Sequence, residues 1–255
     1  MRLSKFFLVL LALAVLAGGV FFWRMPAGIG YRYGVKYLGP VALSGVRGTV
    51  WDGHADGVSV FGRDLGEIDW RAERSALLRG QFVADIRIRG ADVDVAGQVA
   101  RDGDGRMSTR DLRFSVPAEA LAPLLGADTL KLLGTISGVV TQATWAGSLL
   151  SDATGTARWG SPGVSGPAEA RFSDILAEFA SRPDGSIAGT AHDDGNGDLA
   201  VDGTFNLRFG TFDAQAKLSA RNGNAQVAEM LRQVGEVQAD GSTQLVFHGQ
   251  MLKFF

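Results

Sequence analysis

Three histidines, His54, His192 and His248, are the side chains best suited to proton transfer or metal ligation near neutral pH, and each stands alone in the sequence. No second histidine lies one helical turn or one strand repeat away, so the residues read as solvated strand or turn positions rather than a metal centre. Asp194-Gly195-Asn196-Gly197-Asp198 begins like a calcium loop, but Leu199 and Phe205 stand where the sixth-position glycine and twelfth-position glutamate belong. Asp102-Gly103-Asp104-Gly105 departs in the same way, with Met107 and Arg113 there. Both stretches read as Asx/Gly hairpin turns. Gly163-Val164-Ser165-Gly166 approaches a nucleophile elbow, yet Pro167 replaces its final glycine. No glycine-rich tract carries the Lys-Ser/Thr ending of a phosphate-binding loop. Carboxylates are plentiful, but nothing in the chain shows which of them converge, so a glycosidase pair is unsupported. Cysteine is absent, which removes disulfides, thiolate metal sites and thiol nucleophiles together. No residue is therefore assigned as catalytic, cofactor-binding or metal-ligating, and no cofactor is expected. Trp51, Trp70, Trp145 and Trp159 lie on or beside expected strands and read as packing anchors in preference to carbohydrate platforms.

The elements that hold these residues are mostly strands. Glycine, with 35 of 255 residues, is about twice as frequent as the ordinary ~7%, which suits many short strands joined by turns. Phe82, Ala84, Ile86 and Ile88 alternate with Asp85, Arg87 and Arg89; after Gly90-Ala91 the parity switches to Val93, Val95 and Val99. A bulge or tight turn must sit at that switch. Leu199, Val201, Phe205, Leu207 and Phe209 repeat the pattern, with Phe212, Ala214, Ala216 and Leu218 on the other parity after Gly210-Thr211. Leu112, Phe114 and Val116 mark another strand, as do Leu245 and Phe247. The expected fold is mainly β: extended curved antiparallel sheets, or a partly open barrel or sandwich, with a few short helices and one N-terminal transmembrane helix.

Three short helices are predicted: Pro117 to Leu125, one capped by Ser173 and presenting Ile175, Leu176 and Phe179, and Asn224 to Val234. In the last, Val227, Met230, Leu231 and Val234 keep helical spacing before Gly235. Such short helices are expected as lids over a sheet opening or end. Gly48–Trp70 and Gly134–Trp159 both start with Gly-Thr and close with Gly-x-x-x-Trp, so a weak duplication over 48–70 and 134–159 competes with chance similarity.

The apolar run Phe6–Phe22 carries no charge over 17 residues, and Trp23 brings it further into the range of about 17–25 needed to cross a bilayer. Arg2 and Lys5 precede it and Arg24 follows. An uncleaved anchor is preferred to a cleaved signal peptide, because cutting after Ala12-Leu13-Ala14 would leave a greasy mature end. Residues 1–24 are thus the signal anchor, 25–46 a juxtamembrane linker and 47–255 a periplasmic β-rich domain. All 27 acids lie beyond residue 24 against 22 of the 25 basic residues, leaving that part at a formal −5, without attraction for nucleic acid.

Gly48-Thr49-Val50-Trp51-Asp52-Gly53-His54-Ala55, Leu65-Gly66-Glu67-Ile68-Asp69-Trp70 and Ala76-Leu77-Leu78-Arg79-Gly80 follow the apolar segment. Leu231-Arg232-Gln233-Val234-Gly235 and Asp240-Gly241 lead into Leu245-Val246-Phe247-His248-Gly249. In this order the chain resembles the type II secretion system protein N family from the anchor to about Gly249, with little resemblance in Asp152–Asp194. The resemblance implies a non-enzymatic, bitopic inner-membrane component of a Gram-negative bacterium. Its bulk would lie in the periplasm beside the machine that exports folded proteins through an outer-membrane secretin. An accessory scaffold subunit is the first expectation. Other secretion subunits are its partners, the inner membrane is met through residues 6–23, and exposed strand edges are available for β-augmentation. The alternative is a membrane-tethered carrier of lipid or another hydrophobic ligand in a β groove. A periplasmic hydrolase has no catalytic constellation to support it.

Overall fold

A computed structural model describes residues 22–60, 62–120, 131–147, 149–165, 170–171, 173–208, 211–234 and 236–250. Helix α1 (Ala27–Gly34) and a 3-10 turn (Val35–Tyr37) precede β1 (Val41–Ser44), β2 (Arg47–Gly48), β3 (Asp52–Val60) and β4 (Arg63–Ala72). A one-turn helix, α2 (Arg74–Leu77), leads to β5 (Phe82–Arg89), β6 (Asp94–Arg101), β7 (Met107–Pro117), β8 (Lys131–Ala146) and β9 (Leu149–Ser165). Then follow β10 (Ala170–Arg171), β11 (Ile175–Ser181), β12 (Ile187–Asp193), β13 (Leu199–Arg208), β14 (Thr211–Ala220), helix α3 (Ala225–Val234), β15 (Glu236–Val237) and β16 (Thr243–Gln250). These strands form one antiparallel sheet in the order β1-β3-β4-β5-β6-β7-β8-β9-β11-β12-β13-β14-β16-β15, with β2 on β3 and β10 on β9. The order has two ends that do not meet, so the sheet is open.

Period-two alternation makes the sheet two-faced. Directly paired residues of antiparallel strands share a face. Ile68 lies opposite Ile88, Ile88 opposite Val95, and Val95 opposite Phe114. Further along, Ile136 faces Trp159, Trp159 faces Ile175, and Ile187 faces Leu207. Leu207 in turn meets Phe212. One apolar band therefore crosses the sheet, while Asp85, Arg87, Arg158, Thr190, Asp202, Gln215 and Lys217 lie on the opposite face. The parity switches read at Gly90-Ala91 and Gly210-Thr211 are hairpin connections between β5 and β6 and between β13 and β14; Gly210 lies outside the described residues.

The band is not sealed into a continuous core. Among the described residues most buried apolar side chains gather in four separate clusters, and eight of the 17 buried ones are alanine, which bury little area. The larger members, such as Ile86, Val95, Phe179 and Phe205, are only partly buried. Helix α3 covers one end: its Leu231 is buried against Leu199 and Leu218, and Asn224 Oδ1 accepts the Val227 N–H at its start. Its place over the sheet end agrees with the lid expected for Asn224–Val234; Gly235 lies outside the described residues.

Glycine does more than turn the chain. Gly53, Gly138, Gly155 and Gly189 sit inside strands, directly opposite Trp70, Phe114, Phe179 and Phe205. In each case a Cβ on the glycine would run into the facing ring. The missing side chains let aromatic rings lie against neighbouring backbone, which offsets the loss of packing that glycine otherwise brings to a strand. Short strands joined by glycine turns were the expectation; instead β8 and β9 run for 16 and 17 residues. Gly189→Val would push a side chain into Phe205 and the Glu178 carbonyl, so stability should fall by about 1–3 kcal/mol. Gly160→Ala, whose Cβ would meet only ordinary contact, should stay within ~0.5 kcal/mol in the same urea titration.

Several local expectations are corrected. Ile175–Ser181 is strand β11, not a helix capped by Ser173, because β9 and β12 pair with both its edges. Pro117 closes β7 and is followed by a 3-10 turn at residues 118–120; the remainder of the expected helix to Leu125 lies outside the described residues. The stretch 25–46, read as a linker running into the first strand, carries helix α1, a 3-10 turn and β1. No helix among the described residues is long and apolar enough to cross a membrane. The expected anchor at residues 6–23 lies outside the described residues except for Phe22 and Trp23.

Candidate functional site

The three histidines fall on β3, β12 and β16 and do not come together. His54 lies between two carboxylates on the polar face, with Nδ1 2.9 Å from Asp69 Oδ1 and Nε2 3.3 Å from Asp56 Oδ1. Arg47 pairs with Asp56, and Arg89 reaches both Asp69 and Glu67, which makes a charge ladder across β2 to β5. The Asp69 hydrogen bond is the main reason the imidazole's pKa is raised, and the same bond, helped by Arg89, lowers that of Asp69. With both ring nitrogens held by carboxylates, His54 presents neither to a substrate. His248 pairs with Asp213 at 2.7 Å, and His192 is exposed. No group of three or more His, Asp or Glu side chains able to hold a metal ion occurs among the described residues.

The Asx/Gly turns are where the spacing put them. Gly105 and Gly195 adopt φ of 82° and 86°, and the carboxylates of Asp102 and Asp194 accept nearby main-chain N–H groups. Asp193, one residue before the second turn, went unnoticed in the sequence. Its carboxylate accepts the N–H groups of Gly195 (2.9 Å) and Val201 (2.8 Å) and pairs with Arg221 at 2.8 Å. The Ser165 of the near-elbow motif ends β9, and Gly166 lies outside the described residues.

The tryptophans serve packing. The indole N–H of Trp51 donates to the Phe22 carbonyl (3.0 Å), that of Trp70 to Val50 (3.1 Å) and that of Trp159 to Leu133 (2.8 Å). Trp145 packs against the cluster around Ala143 and Ile187. Trp51 is buried, and Trp70, Trp145 and Trp159 are half-buried.

Two broad surfaces remain. A shallow groove of about 810 Å³ runs over the polar face of β9 to β14, lined by Thr154, Thr156, Glu178, Thr190, Thr204 and Gln215. It offers hydroxyls, amides and carboxylates beside apolar surface in comparable measure, with Ala180, Ala188, Phe179 and Phe205 also in its lining. On the other face lies the half-buried apolar band. The sheet's ends differ as well. At β1 the N–H groups of Val41 and Leu43 are taken by the Leu38 carbonyl (3.2 Å) and the Tyr31 hydroxyl (2.9 Å). At the other end β15 pairs with Thr243 and Gln244 alone.

Fold and surfaces together define an open-sheet antiparallel β protein with a few short helices. The chain belongs to the type II secretion system protein N family, whose model matches residues 39–246, from just before β1 into β16. The match runs through Asp152–Asp194, where the sequence motifs gave little resemblance. The chain is also 30% identical over 141 residues to the type II secretion system protein N of Vibrio cholerae serotype O1 (strain ATCC 39315 / El Tor Inaba N16961). That alignment covers 54% of this chain and 56% of the relative, so the chain spans little more than half the length of the protein it matches. No solved structure matches the chain.

Proposed function

We propose that this protein is an accessory, non-enzymatic subunit of the type II secretion system, held in the inner membrane by residues 6–23, with its open sheet in the periplasm as an interaction scaffold. The single observation that carries this reading is the apolar band, which crosses the sheet half-exposed and, among the described residues, is covered only at the end where helix α3 packs. Such a surface is stabilised by covering it with another protein. Anchorage raises the local concentration of the band for other membrane-held subunits, so modest contacts suffice. Residues 1–24, 25–46 and 47–255 serve as anchor, entry segment and interaction domain. The hairpins 48–70 and 134–159, each closing on a tryptophan bonded to a main-chain carbonyl, support an origin by duplication.

The test combines secretion with co-purification. Cells lacking the chain should retain exported proteins in the periplasm, and the full chain purified from membranes should bring other secretion subunits with it. Ile86→Asp and Phe179→Asp, which place charge on the band, should reduce that co-purification several-fold while the far-UV spectrum keeps its β signature. Normal secretion without the chain, together with no co-purifying subunit, would refute the proposal.

A carrier of lipid is the second reading, favoured by the same half-exposed band. Lipid extraction of the full chain, purified in detergent and compared with an unrelated single-span protein, separates the two. Enrichment of one lipid class at roughly one per chain supports the carrier, and only bulk lipid in both samples supports the scaffold.

A further inference from the structure

The free end of the sheet carries a pattern that the rest of the sheet explains. Residues along an antiparallel strand direct their N–H and C=O groups alternately to the two neighbours. Arg208 and Thr211 close the β13–β14 hairpin, so Phe212, Ala214, Ala216 and Leu218 turn towards β16 and meet Gly249, Phe247, Leu245 and Thr243. The even residues of β16 therefore point outward. Glu236 of β15 lies opposite Gln244, and no strand among the described residues pairs with the outer edge beyond it. Val246, His248 and Gln250 thus present main-chain donors and acceptors to an unfilled edge.

Side chains on that edge are incomplete in a specific way. Elsewhere in the sheet an aromatic ring lies over the glycine directly opposite, as in Phe205 on Gly189 and Phe179 on Gly155. On β16, Phe247 is 52% exposed, and the space above Gly249 is empty to 4 Å. The ring of Phe212, opposite Gly249, packs instead towards Leu207 and Phe205. One strand therefore holds both halves of the recurring pair, two residues apart on the same face.

We propose that β16 pairs with β16 of a second copy, antiparallel about a two-fold axis through His248. In this register Phe247 of each copy lies opposite Gly249 of the other, and Val246 opposite Gln250. The outward groups of three residues per chain then form about six main-chain hydrogen bonds. A two-residue slip sets Phe247 against Phe247 and drives Gln250 onto Gln244, whose outer edge β15 already occupies. The occupied edge of β15 thus fixes the register. At the opposite end Tyr31 and Leu38 close the β1 edge, so assembly stops at two copies and does not run on as a filament. This inference goes beyond the secretion role and does not rest on it.

The chain has no cysteine, which allows a clean disulfide test on the full-length protein in membranes. Directly opposite residues stand about 5.5 Å apart at a hydrogen-bonded pair, within the ~4.4–6.8 Å that a disulfide spans. His248→Cys should therefore give a covalent dimer under mild oxidation. Val246→Cys or Gln250→Cys alone should stay monomeric, since like positions are about 13 Å apart in this register. Co-expression of these two variants should restore the cross-link between them. Adding Phe247→Ala to His248→Cys should lower the dimer yield at least five-fold. The proposal is overturned if the co-expressed pair gives no dimer while both chains keep their β spectrum, or if all three single variants cross-link equally. Secretion and partner co-purification play no part in the readout, so failure here leaves the secretion reading standing.

Discussion

Trp51→Ala should lower the stability of the protein by about 3–5 kcal/mol, the largest effect expected of any single truncation here. The residue is 3% exposed and packs with Ala72 and Ala84, with Leu77 and Val99 closing around them. Its ring meets Phe22 edge-on at 5.1 Å, and the Arg74 guanidinium lies 5.7 Å from its centre. Small neighbours such as alanine cannot collapse into the space an indole leaves, so the cavity cost adds to the lost transfer energy. Trp51→Phe keeps most of the ring and forfeits the hydrogen bond to Phe22, so about 1 kcal/mol should be lost. The position matters for function too. Val50 donates to the Met25 carbonyl, and Pro26 bridges to Thr49, so the chain is fastened to the sheet as soon as it leaves the apolar segment. Guanidinium titration of the two variants in parallel measures both numbers. A loss below ~1 kcal/mol for Trp51→Ala would contradict this packing.

Asp193→Ala should cost about 2–3 kcal/mol near neutral pH, and that cost should shrink in acid. Burial, which leaves the side chain 5% exposed, acts to raise its pKa. Arg221 and the N–H groups of Val201 and Gly195 outweigh it, and the carboxyl settles at about 2. A carboxylate depressed in the folded state stabilises above its unfolded pKa of about 3.9, and that contribution fades as pH falls towards 2. The shift corresponds to roughly 2 kcal/mol at neutral pH. The wild type and Asp193→Ala should therefore differ most above pH ~5 and converge near pH ~2. A gap that stays constant through this window would show that Asp193 is not the ionised partner of Arg221.

Much of the sheet could be read from alternation, because one face is apolar and the other polar. Phe82 to Ile88 and Leu199 to Leu207 are strands for that reason, and the glycine-aspartate clusters between strands are turns. Ile175-Leu176-Ala177-Glu178-Phe179 misled because apolar residues stand at both parities. Paired on both sides, the segment is held as a strand, with Ile175 and Phe179 on the band and Leu176 on the other face. The glycines misled differently: that Gly189 lies beneath Phe205 depends on which strands become neighbours, and local spacing carries no trace of it. Asp193 was missed for the same reason, since Arg221 lies far along the chain. The candidate surface was half legible. Its apolar content was plain, but whether it closed into a core or stayed open required the strand order.

The central claim is that residues 6–23 hold this sheet against the inner membrane on its periplasmic side. Alkaline phosphatase fused after the last residue of the full chain tests it most directly. The fusion should be enzymatically active in whole cells and stay in the membrane pellet after carbonate washing. An inactive fusion, or an active one released wholly into the soluble fraction, would contradict the proposed topology.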